Sequence, residues 1–301
     1  MKYIFIINGR EDKKFILPQV QSQLESLSSP PEYDIYVTRG RGDATRHVRL
    51  YNDFHPGEIV CFVACGGTGT VNEVASGIVG FEGKSLAVLA YGESNDFIKN
   101  FPGRDFKSIS AILGGEDKDI DIIKCNDDYA INTAHFGFDA FTAFEADGYI
   151  SDRKSKPYIR GLIKSVLFHR FNRFKVLADG KKISGHLILL CLAGNGRYCG
   201  NMFCAAPKAE LDDSLMDICL IKGISLLRFA LMLPSYIKGT HIESFISRGA
   251  VKYVQCRKME VFSKDLLLTC LDGEVSGSRH FSLKILGKAI RLRLPSTNNN
   301  I

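Results

Sequence analysis

Three glycines in the stretch Gly66–Gly69 are the residues of this sequence best suited to bind phosphate. They follow a short apolar run, Ile59–Ala64, which is typical of a buried strand. Thr70 and Glu73 have the spacing of a capping box, which predicts a helix from here to about Val79. Bare backbone N–H groups beside a helix N-terminus attract anions. The same residues can also form a tight strand-to-helix turn that binds nothing.

Two familiar phosphate-binding motifs are excluded by the residues around these glycines. No Gly-Lys-Ser or Gly-Lys-Thr follows them, so the stretch is not a P-loop. The G-x-G-x-x-G spacing of dinucleotide-binding folds is also absent, and the glycines follow a later predicted strand than the first.

Acidic segments further along the chain can supply the rest of the chemistry of phosphoryl transfer. Besides a phosphate cradle, that reaction needs a divalent cation and a base near the acceptor hydroxyl. Asp272 and Glu274 follow a strongly apolar run. Asp-Gly between two alternating runs is also a standard hairpin turn, and spacing alone favours the turn. By themselves, Asp212 and Asp213 indicate a solvated acidic loop.

The glycine stretch resembles the Gly-Gly-Asp-Gly-Thr loop of the diacylglycerol kinase catalytic domain family, which includes bacterial lipid kinases and sphingosine kinases. Its continuation, Val71–Val74, is similar to the lipid-kinase branch more than to NAD kinases or phosphofructokinases, which carry a related loop. Further segments resemble the family in order and spacing, so the resemblance covers nearly the whole chain. These segments are 91–97, 132–139, 207–217 and 271–274.

The resemblance implies an ATP-dependent lipid kinase that transfers the γ-phosphoryl group to a lipid hydroxyl, with Mg²⁺ as cofactor. Asp272 is then the candidate general base, and Glu274 supports the metal-nucleotide end. Asp213, with Asp212 next, matches the ligand of a structural Mg²⁺, and Asp121 matches a residue that links the metal region to the active centre. The nucleotide contacts implied by the resemblance are Asn8, Gly66, Gly67, Thr68, Gly69, Thr70, Glu73, Gly92, Glu93, Asn95 and Asp96.

Within the glycine stretch and the matching segments, three positions depart from the family pattern. Thr68 replaces the aspartate of the glycine loop, and Glu93 replaces a threonine of the second nucleotide loop. Taken separately, the first change weakens metal binding and the second repels phosphate, since like charges ~4 Å apart repel by several kcal/mol at intermediate dielectric. We expect Glu93 to replace the missing aspartate in part; the alternative is a catalytically weak or inactive relative that still binds nucleotide. Ser214 replaces the usual glycine of the acidic loop, so a different turn is expected there.

The order of predicted elements indicates two domains in this chain of 301 residues. Residues 1–122 alternate strand and helix patterns, which is typical of a parallel sheet with helices on both faces and ligands at the carboxyl ends of its strands. Residues 123–286 carry long β-type runs between turns, one of them at Tyr253–Phe262, which predicts a larger, mainly antiparallel β domain. The resemblance implies that 287–301 rejoins the first domain, as in NAD kinase and diacylglycerol kinase folds. Helical patterns interrupt the β domain at about 134–146, 157–170 and 225–245.

A basic amphipathic segment indicates contact with an anionic membrane surface. Residues 153–175 contain eight Lys or Arg and no acid, and Lys156, Arg160 and Lys164 lie on a different face of the predicted helix from its apolar stripe. Such a helix can equally dock its stripe on the domain and leave its charges in water. A lipid acceptor favours the membrane.

The composition limits the remaining possibilities. The net charge of +6 is mild and the basic cluster is local, so nucleic acid is not an expected partner. We see neither a signal peptide nor a stretch long enough to span a bilayer, and the nine cysteines lie mostly in apolar runs. These features predict a cytoplasmic protein, peripheral to the inner face of the membrane. The lipid acceptor and the formation of a homodimer stay open.

Overall fold

The structure, a computed structural model, describes residues 1–9, 13–91, 95–137, 172–184 and 187–297. The chain divides into two compact units, of which one combines Met1–Ile122 with Gly287–Ile301 and the other is Ile123–Leu286. Predicted site residues at positions 92, 93, 156, 160 and 164 lie outside the described residues, as does the predicted helix 157–170.

A parallel sheet forms the centre of the first unit. Its strands are β1 (Lys2–Ile7), β2 (Tyr33–Val37), β3 (Val60–Gly66), β4 (Lys84–Ala90) and the end of the last strand, β16 (Glu274–Leu294). Their order is β16-β4-β3-β1-β2, and the register pairs Arg291 of β16 with Ser85 of β4 in parallel. The helices are α1 (Lys13–Glu25), α2 (Asp43–Phe54), α3 (Thr68–Ile78) and α4 (Ile109–Leu113), with a 3₁₀ turn at Phe97–Asn100.

Helices cover both faces of this sheet, as the alternating pattern predicts. On one face, alternate strand residues such as Phe5 and Val63 form a buried cluster with Val20 of α1 and with α4. On the other face, the ring of Tyr51 in α2 meets the ring of Phe62 edge-on, 5.8 Å away. Because β3 and β4 are buried on both sides, the centre of the sheet is buried rather than half-exposed, whereas β2 at its edge is partly exposed.

The strand order indicates at which edge of the first unit's sheet a ligand is expected. The chain passes from β1 to β2 on one side of β1, and then returns to β3 and β4 on the other side. The connections therefore change direction between β1 and β3. In open parallel sheets, ligands bind beyond the carboxyl ends of the strands at such a switch point. Asn8 and the glycine stretch follow these two strands directly.

The second unit is a mainly antiparallel β structure. Its main sheet has the order β14-β13-β10-β7-β15-β16, and every pairing between neighbours of known register is antiparallel. A buried apolar cluster, which includes Phe136, Ile218, Met259 and Phe281, forms its core. The strands are β5 (Glu116–Cys125, which ends in this unit), β6 (Asp128–Ala130), β7 (Thr133–Gly137), β8 (Phe174–Ala178), β9 (Lys181–Lys182), β10 (Ile188–Gly194), β11 (Tyr198–Cys199), β12 (Phe203–Cys204), β13 (Met216–Lys222), β14 (Val251–Cys256), β15 (Lys258–Leu271) and β16.

One helix of this unit, α5 (Leu226–Lys238), is described, together with a 3₁₀ turn at Phe245–Ser247. The predicted helical segment 225–245 is thus shorter, because Gly239 adopts a left-handed φ of 74° and ends α5. Within the described part of the chain, every helix is too short or too polar to cross a bilayer.

Two predicted elements of the second unit are wrong. Residues 134–137 were expected to begin a helix, but they lie in β7, between β10 and β15. All of β7 is buried, so its sequence lacks the alternation that identifies a half-exposed strand. The run Tyr253–Phe262 is not one strand either. It breaks at Arg257, where the carboxylate of Asp179 accepts hydrogen bonds from the amides of Arg257 and Lys258.

Candidate active site

The glycine stretch forms the turn from β3 into α3. The strand ends at Gly66, Gly67 is the N-cap with an extended backbone, and the helix begins at Thr68. The first intrahelical hydrogen bond of this turn runs from the amide of Val71 to the carbonyl of Gly67. The amides of residues 68–70 therefore have no partner within the helix. Together with the helix dipole, they can attract an anion at the switch point of the sheet, and the phosphate site predicted here stays a prediction.

Gly66 is required by close packing, not by an unusual φ. A Cβ atom here would lie 2.6 Å from Oγ1 of Thr70 and 3.3 Å from Cβ of Asn8. The side-chain amide of Asn95 donates a hydrogen bond to the Gly66 carbonyl over 3.3 Å. Residues from three predicted nucleotide segments therefore converge at Gly66, which leaves no room for a side chain.

Thr68 connects the glycine turn to the second nucleotide loop. Its hydroxyl oxygen accepts a hydrogen bond from the amide of Asp96 over 3.1 Å. The side chain that replaces the family's aspartate thus contacts the segment that carries Glu93 in the sequence. The neighbouring residue, Asn95, uses both ends of its side chain. Its side-chain oxygen accepts a hydrogen bond from the amide of Ile98 in the 3₁₀ turn, and its side-chain nitrogen donates the bond to Gly66.

The predicted capping box at Thr70 and Glu73 is wrong. The helix begins earlier, with Gly67 as its N-cap, and Glu73 binds elsewhere. Its two carboxylate oxygens accept hydrogen bonds from the amides of Gly42 (2.9 Å) and Ala44 (3.1 Å). These amides lie at the N-terminus of α2, where a negative charge is favourable. Glu73 therefore joins α2 to α3, and its nucleotide contact stays a prediction.

Asp96 is buried, and its carboxylate forms an ion pair with Nζ of Lys99 at 2.6 Å. This ion pair was not anticipated from the sequence. Thr38, at the carboxyl end of β2, was also missed: its hydroxyl accepts a hydrogen bond from the amide of Gly9 over 3.0 Å. A polar residue directly after a predicted parallel strand is the signal that indicates it.

Asp272 lies in the hairpin between β15 and β16, in the second unit. Asp272 and Gly273 have φ values of 49° and 98°, and Leu271 pairs with Glu274 across the turn. This two-residue turn with two left-handed residues explains the Asp-Gly pair structurally. The turn and the catalytic interpretation are compatible, because the turn directs the carboxyl group of Asp272 into the protein, where it is 5% exposed.

The backbone of β7 and the residue before it hold the Asp272 carboxylate. Its two oxygens accept hydrogen bonds from the amides of Asn132 (3.0 Å) and Thr133 (2.9 Å). Burial raises the pKa of Asp272 to about 6, against the opposing effect of these amide bonds and of nearby His135. A carboxyl group with such a pKa is ionised at neutral pH and still able to take a proton, which suits a general base. Glu274 is partly exposed at the start of β16.

The acidic loop before β13 keeps a glycine-like turn despite its serine. Ser214 has φ of 60°, in the left-handed region that favours glycine. Oδ1 of Asp213 accepts a hydrogen bond from the amide of Leu215 over 2.9 Å, while Asp212 is exposed. Among the residues that the structure describes, no three His, Cys, Asp or Glu side chains are grouped as metal ligands. A Mg²⁺ ion here would thus depend on Asp213 together with backbone oxygens, which hard cations accept.

Asp121 has a structural partner in the first unit. It is fully buried, and its Oδ1 accepts a hydrogen bond from the amide of Lys288 over 2.7 Å. Lys288 has a left-handed φ of 52° inside β16. The carboxylate thus stabilises an irregular point of the last strand. Its predicted link to the metal region stays a prediction.

Comparisons with known proteins identify the family of this chain. Residues 2–125 match the model of the diacylglycerol kinase catalytic domain, and residues 132–294 match that of the YegS C-terminal NAD kinase beta sandwich-like domain. The chain is 28% identical to "Probable lipid kinase YegS-like" of Xanthomonas euvesicatoria pv. vesicatoria (strain 85-10), over 96% of this chain and 95% of that protein. It is 26% identical to "Diacylglycerol kinase" of Bacillus subtilis (strain 168), over 90% and 88% of the two chains.

Solved structures show the same fold. A crystal structure of a diacylglycerol kinase from Bacillus anthracis str. Sterne has a TM-score of 0.69 at 19% identity and covers 97% of this chain and 96% of its own. An NAD kinase from Archaeoglobus fulgidus in complex with ATP has a TM-score of 0.51 at 11% identity, over 97% and 93%. The predicted fold class is confirmed, and the chain belongs to the family of YegS-like lipid kinases and diacylglycerol kinases.

Proposed function

We propose that this chain transfers the γ-phosphoryl group of ATP to the hydroxyl of a diacylglycerol-like lipid, at the inner face of the membrane. The observation that carries the proposal is the open N-terminus of α3 at the switch point of the sheet, closed on one side by Gly66, Asn8 and Asn95. The amides of residues 68–70, which have no partner within the helix, suit a polyphosphate, and membership of a lipid-kinase family suits a lipid acceptor.

The first unit binds and orients ATP. The amides of residues 68–70 hold phosphate oxygens, and the close packing of Gly66 against Thr70 and Asn8 keeps the turn in this position. Asn8, Asn95 and Asp96 line the same edge. Mg²⁺ bound with ATP supplies charge neutralisation on the β- and γ-phosphates. The positive end of the α3 dipole then stabilises the negative charge that the transferred phosphoryl group carries.

Asp272 acts as the general base. The acceptor oxygen forms a bond to the γ-phosphorus while the bond from that phosphorus to the β,γ-bridging oxygen breaks, and ADP leaves. The hydroxyl proton goes to the Asp272 carboxylate, which its pKa of about 6 leaves free to accept it at neutral pH. Glu274 would support the metal-nucleotide end. A structural Mg²⁺ would be held by Asp213 and backbone oxygens, with Asp212 beside them, and would stabilise the acidic loop.

A second candidate function is a membrane-associated nucleotide sensor with little or no turnover. Thr68 favours it, because a hydroxyl replaces the carboxylate that the family uses at this position. The contact between Thr68 and the amide of Asp96 supports an active kinase instead. In that case Glu93, from the same loop as Asp96, supplies the negative charge that the family's aspartate would carry.

The test is a mutational cycle at the two exchanged positions. Phosphoryl transfer to diacylglycerol and the Kd of Mg·ATP are measured for Thr68→Asp, Glu93→Thr and the double variant. Compensation predicts that each single variant is slower than the natural protein and that the double variant regains activity. If both single variants outperform the natural protein, the compensation idea is lost. ATP binding without transfer in all four proteins favours the sensor.

A further inference from the structure

Helix α5 carries large apolar side chains on its outer side as well as on its buried side. On one side, Phe229, Met232, Leu233 and Tyr236 pack against the buried cluster formed with β10 and β13. A surface helix of a globular protein normally carries polar residues on the opposite side. In this helix only Arg228, Ser235 and Lys238 interrupt the apolar residues, and most of the outer side is apolar. That composition indicates that the outer side meets something other than water.

The outer side of α5 exposes large apolar side chains. Leu227 is 71% exposed and Leu231, one turn later, is 55% exposed. Ala230, Pro234 and Ile237 extend this stripe at helical spacing and are exposed as well. Single exposed apolar residues are common on proteins, but a contiguous stripe on a helix marks an interaction surface.

The 3₁₀ turn that follows enlarges this surface. Phe245 is 80% exposed and Ile246 is 37% exposed. The guanidinium group of Arg228 in α5 donates hydrogen bonds to the carbonyl oxygens of Ile246 (2.9 Å) and Arg248 (2.7 Å). The turn is therefore held beside the first half of α5. We call Leu227, Leu231, Ile237, Phe245 and Ile246 together the α5 face.

The charges around the α5 face are mostly positive. The segment 222–252 contains a single acid, Glu243, which is exposed. The guanidinium carbon of Arg248 lies 5.4 Å from the ring centroid of Phe245, so a cation stands next to the most exposed ring. The basic residues of the segment are Lys222, Arg228, Lys238, Arg248 and Lys252.

An anionic bilayer fits this combination better than a second copy of the chain. Phenylalanine and leucine enter the boundary between headgroups and acyl chains, while Lys and Arg remain at the level of the anionic headgroups. Each basic group near such a surface adds to binding. A two-fold interface between copies would instead bring the same basic rims together, which costs free energy.

We propose that the α5 face docks this protein on anionic phospholipid bilayers, with Leu227, Leu231 and Phe245 inserted below the headgroups. The proposal deepens the proposed function and rests on it for the lipid acceptor. It assigns membrane contact to residues 227–248 of the second unit, a different part of the sequence from the basic segment 153–175.

The test measures binding of the full chain to vesicles of pure phosphatidylcholine and of phosphatidylcholine with phosphatidylglycerol, by co-sedimentation without ATP. The variant is Leu231→Glu with Phe245→Glu, and the control is Phe54→Glu with Leu266→Glu, which changes two equally exposed side chains elsewhere. The proposal is supported if the natural protein binds only vesicles that contain phosphatidylglycerol, and if this binding falls at least about tenfold in the variant but not in the control. Circular dichroism verifies that both variants fold.

Three results overturn the proposal: no binding of the natural protein to anionic vesicles, equal loss in variant and control, or unchanged vesicle binding with a shift from dimer to monomer in size-exclusion chromatography. The last result assigns the face to a second copy. Phosphoryl transfer to a short-chain, water-dispersed diacylglycerol separates this proposal from the proposed function. If docking is right, the variant keeps this transfer. If the natural protein binds vesicles through the face but transfers to no lipid, the kinase proposal fails and the docking surface stands.

Discussion

Replacing Asp272 by asparagine gives a direct measure of how strongly its carboxyl group is perturbed. Asp272 is 5% exposed, and burial raises its pKa from the ordinary 3.8 to about 6. The folded chain thus binds this proton more tightly than the unfolded chain. Stability is therefore lost as the pH rises from 3.8 through about 6, and it is constant above that. The full shift corresponds to about 3 kcal/mol of unfolding free energy at 1.36 kcal/mol per pKa unit.

Asp272→Asn keeps the shape of the side chain but cannot ionise, so it escapes this loss. Relative to the natural protein, the variant should gain about 1.4 kcal/mol of unfolding free energy between pH 5 and pH 8. Urea unfolding followed by far-UV circular dichroism measures it, since the chain has no tryptophan. Asp265→Asn, which removes an exposed carboxylate from β15, controls for net charge. If the unfolding free energy of Asp272→Asn relative to the natural protein stays constant or falls as the pH rises, the raised pKa is refuted. The assignment of Asp272 as the general base is then refuted as well.

Further variants test the packing and the turns around the site. Gly66→Ala should weaken Mg·ATP binding at least about tenfold, because the new Cβ would lie 2.6 Å from Oγ1 of Thr70. The control Gly57→Ala adds a Cβ in open space and should leave the affinity unchanged. Equal affinities of the two variants in calorimetry would contradict this prediction. Glu73→Ala should lower the unfolding free energy by about 1 kcal/mol, because it removes the cap of α2; an unchanged urea midpoint would show that the cap contributes nothing. Ser214→Gly should raise the unfolding free energy by up to about 1 kcal/mol, because glycine adopts the left-handed φ of this position without strain. A lower unfolding free energy would show that serine is favoured at this position.

Local patterns were sufficient for the elements that position the glycine turn. The strands β1, β3 and β4 are short, mainly apolar runs and β2 alternates, while the glycines lie where strand must turn into helix. Asp-Gly at 272–273 predicted a hairpin, and the structure has it. These features depend on residues adjacent in sequence, which a single sequence displays.

Features that depend on distant partners were missed. Thr70 and Glu73 have capping-box spacing, but the carboxylate of Glu73 binds amides about thirty residues earlier in the chain, at the start of α2. The strand β7 is buried on both faces and so lacks alternation. The amides that hold Asp272 lie about 140 residues away, so the burial that raises its pKa is visible only in the fold.

The central claim is that this chain moves a phosphoryl group from ATP to a lipid hydroxyl with Asp272 as base. The most direct measurement is the transfer of label from γ-labelled ATP into a panel of lipid alcohols in mixed vesicles, for the natural protein and for Asp272→Asn. The account predicts a labelled lipid that requires Mg²⁺ and a rate that falls about 10²- to 10⁴-fold in the variant. Bound ATP with no labelled lipid, or equal labelling by both proteins, would contradict it.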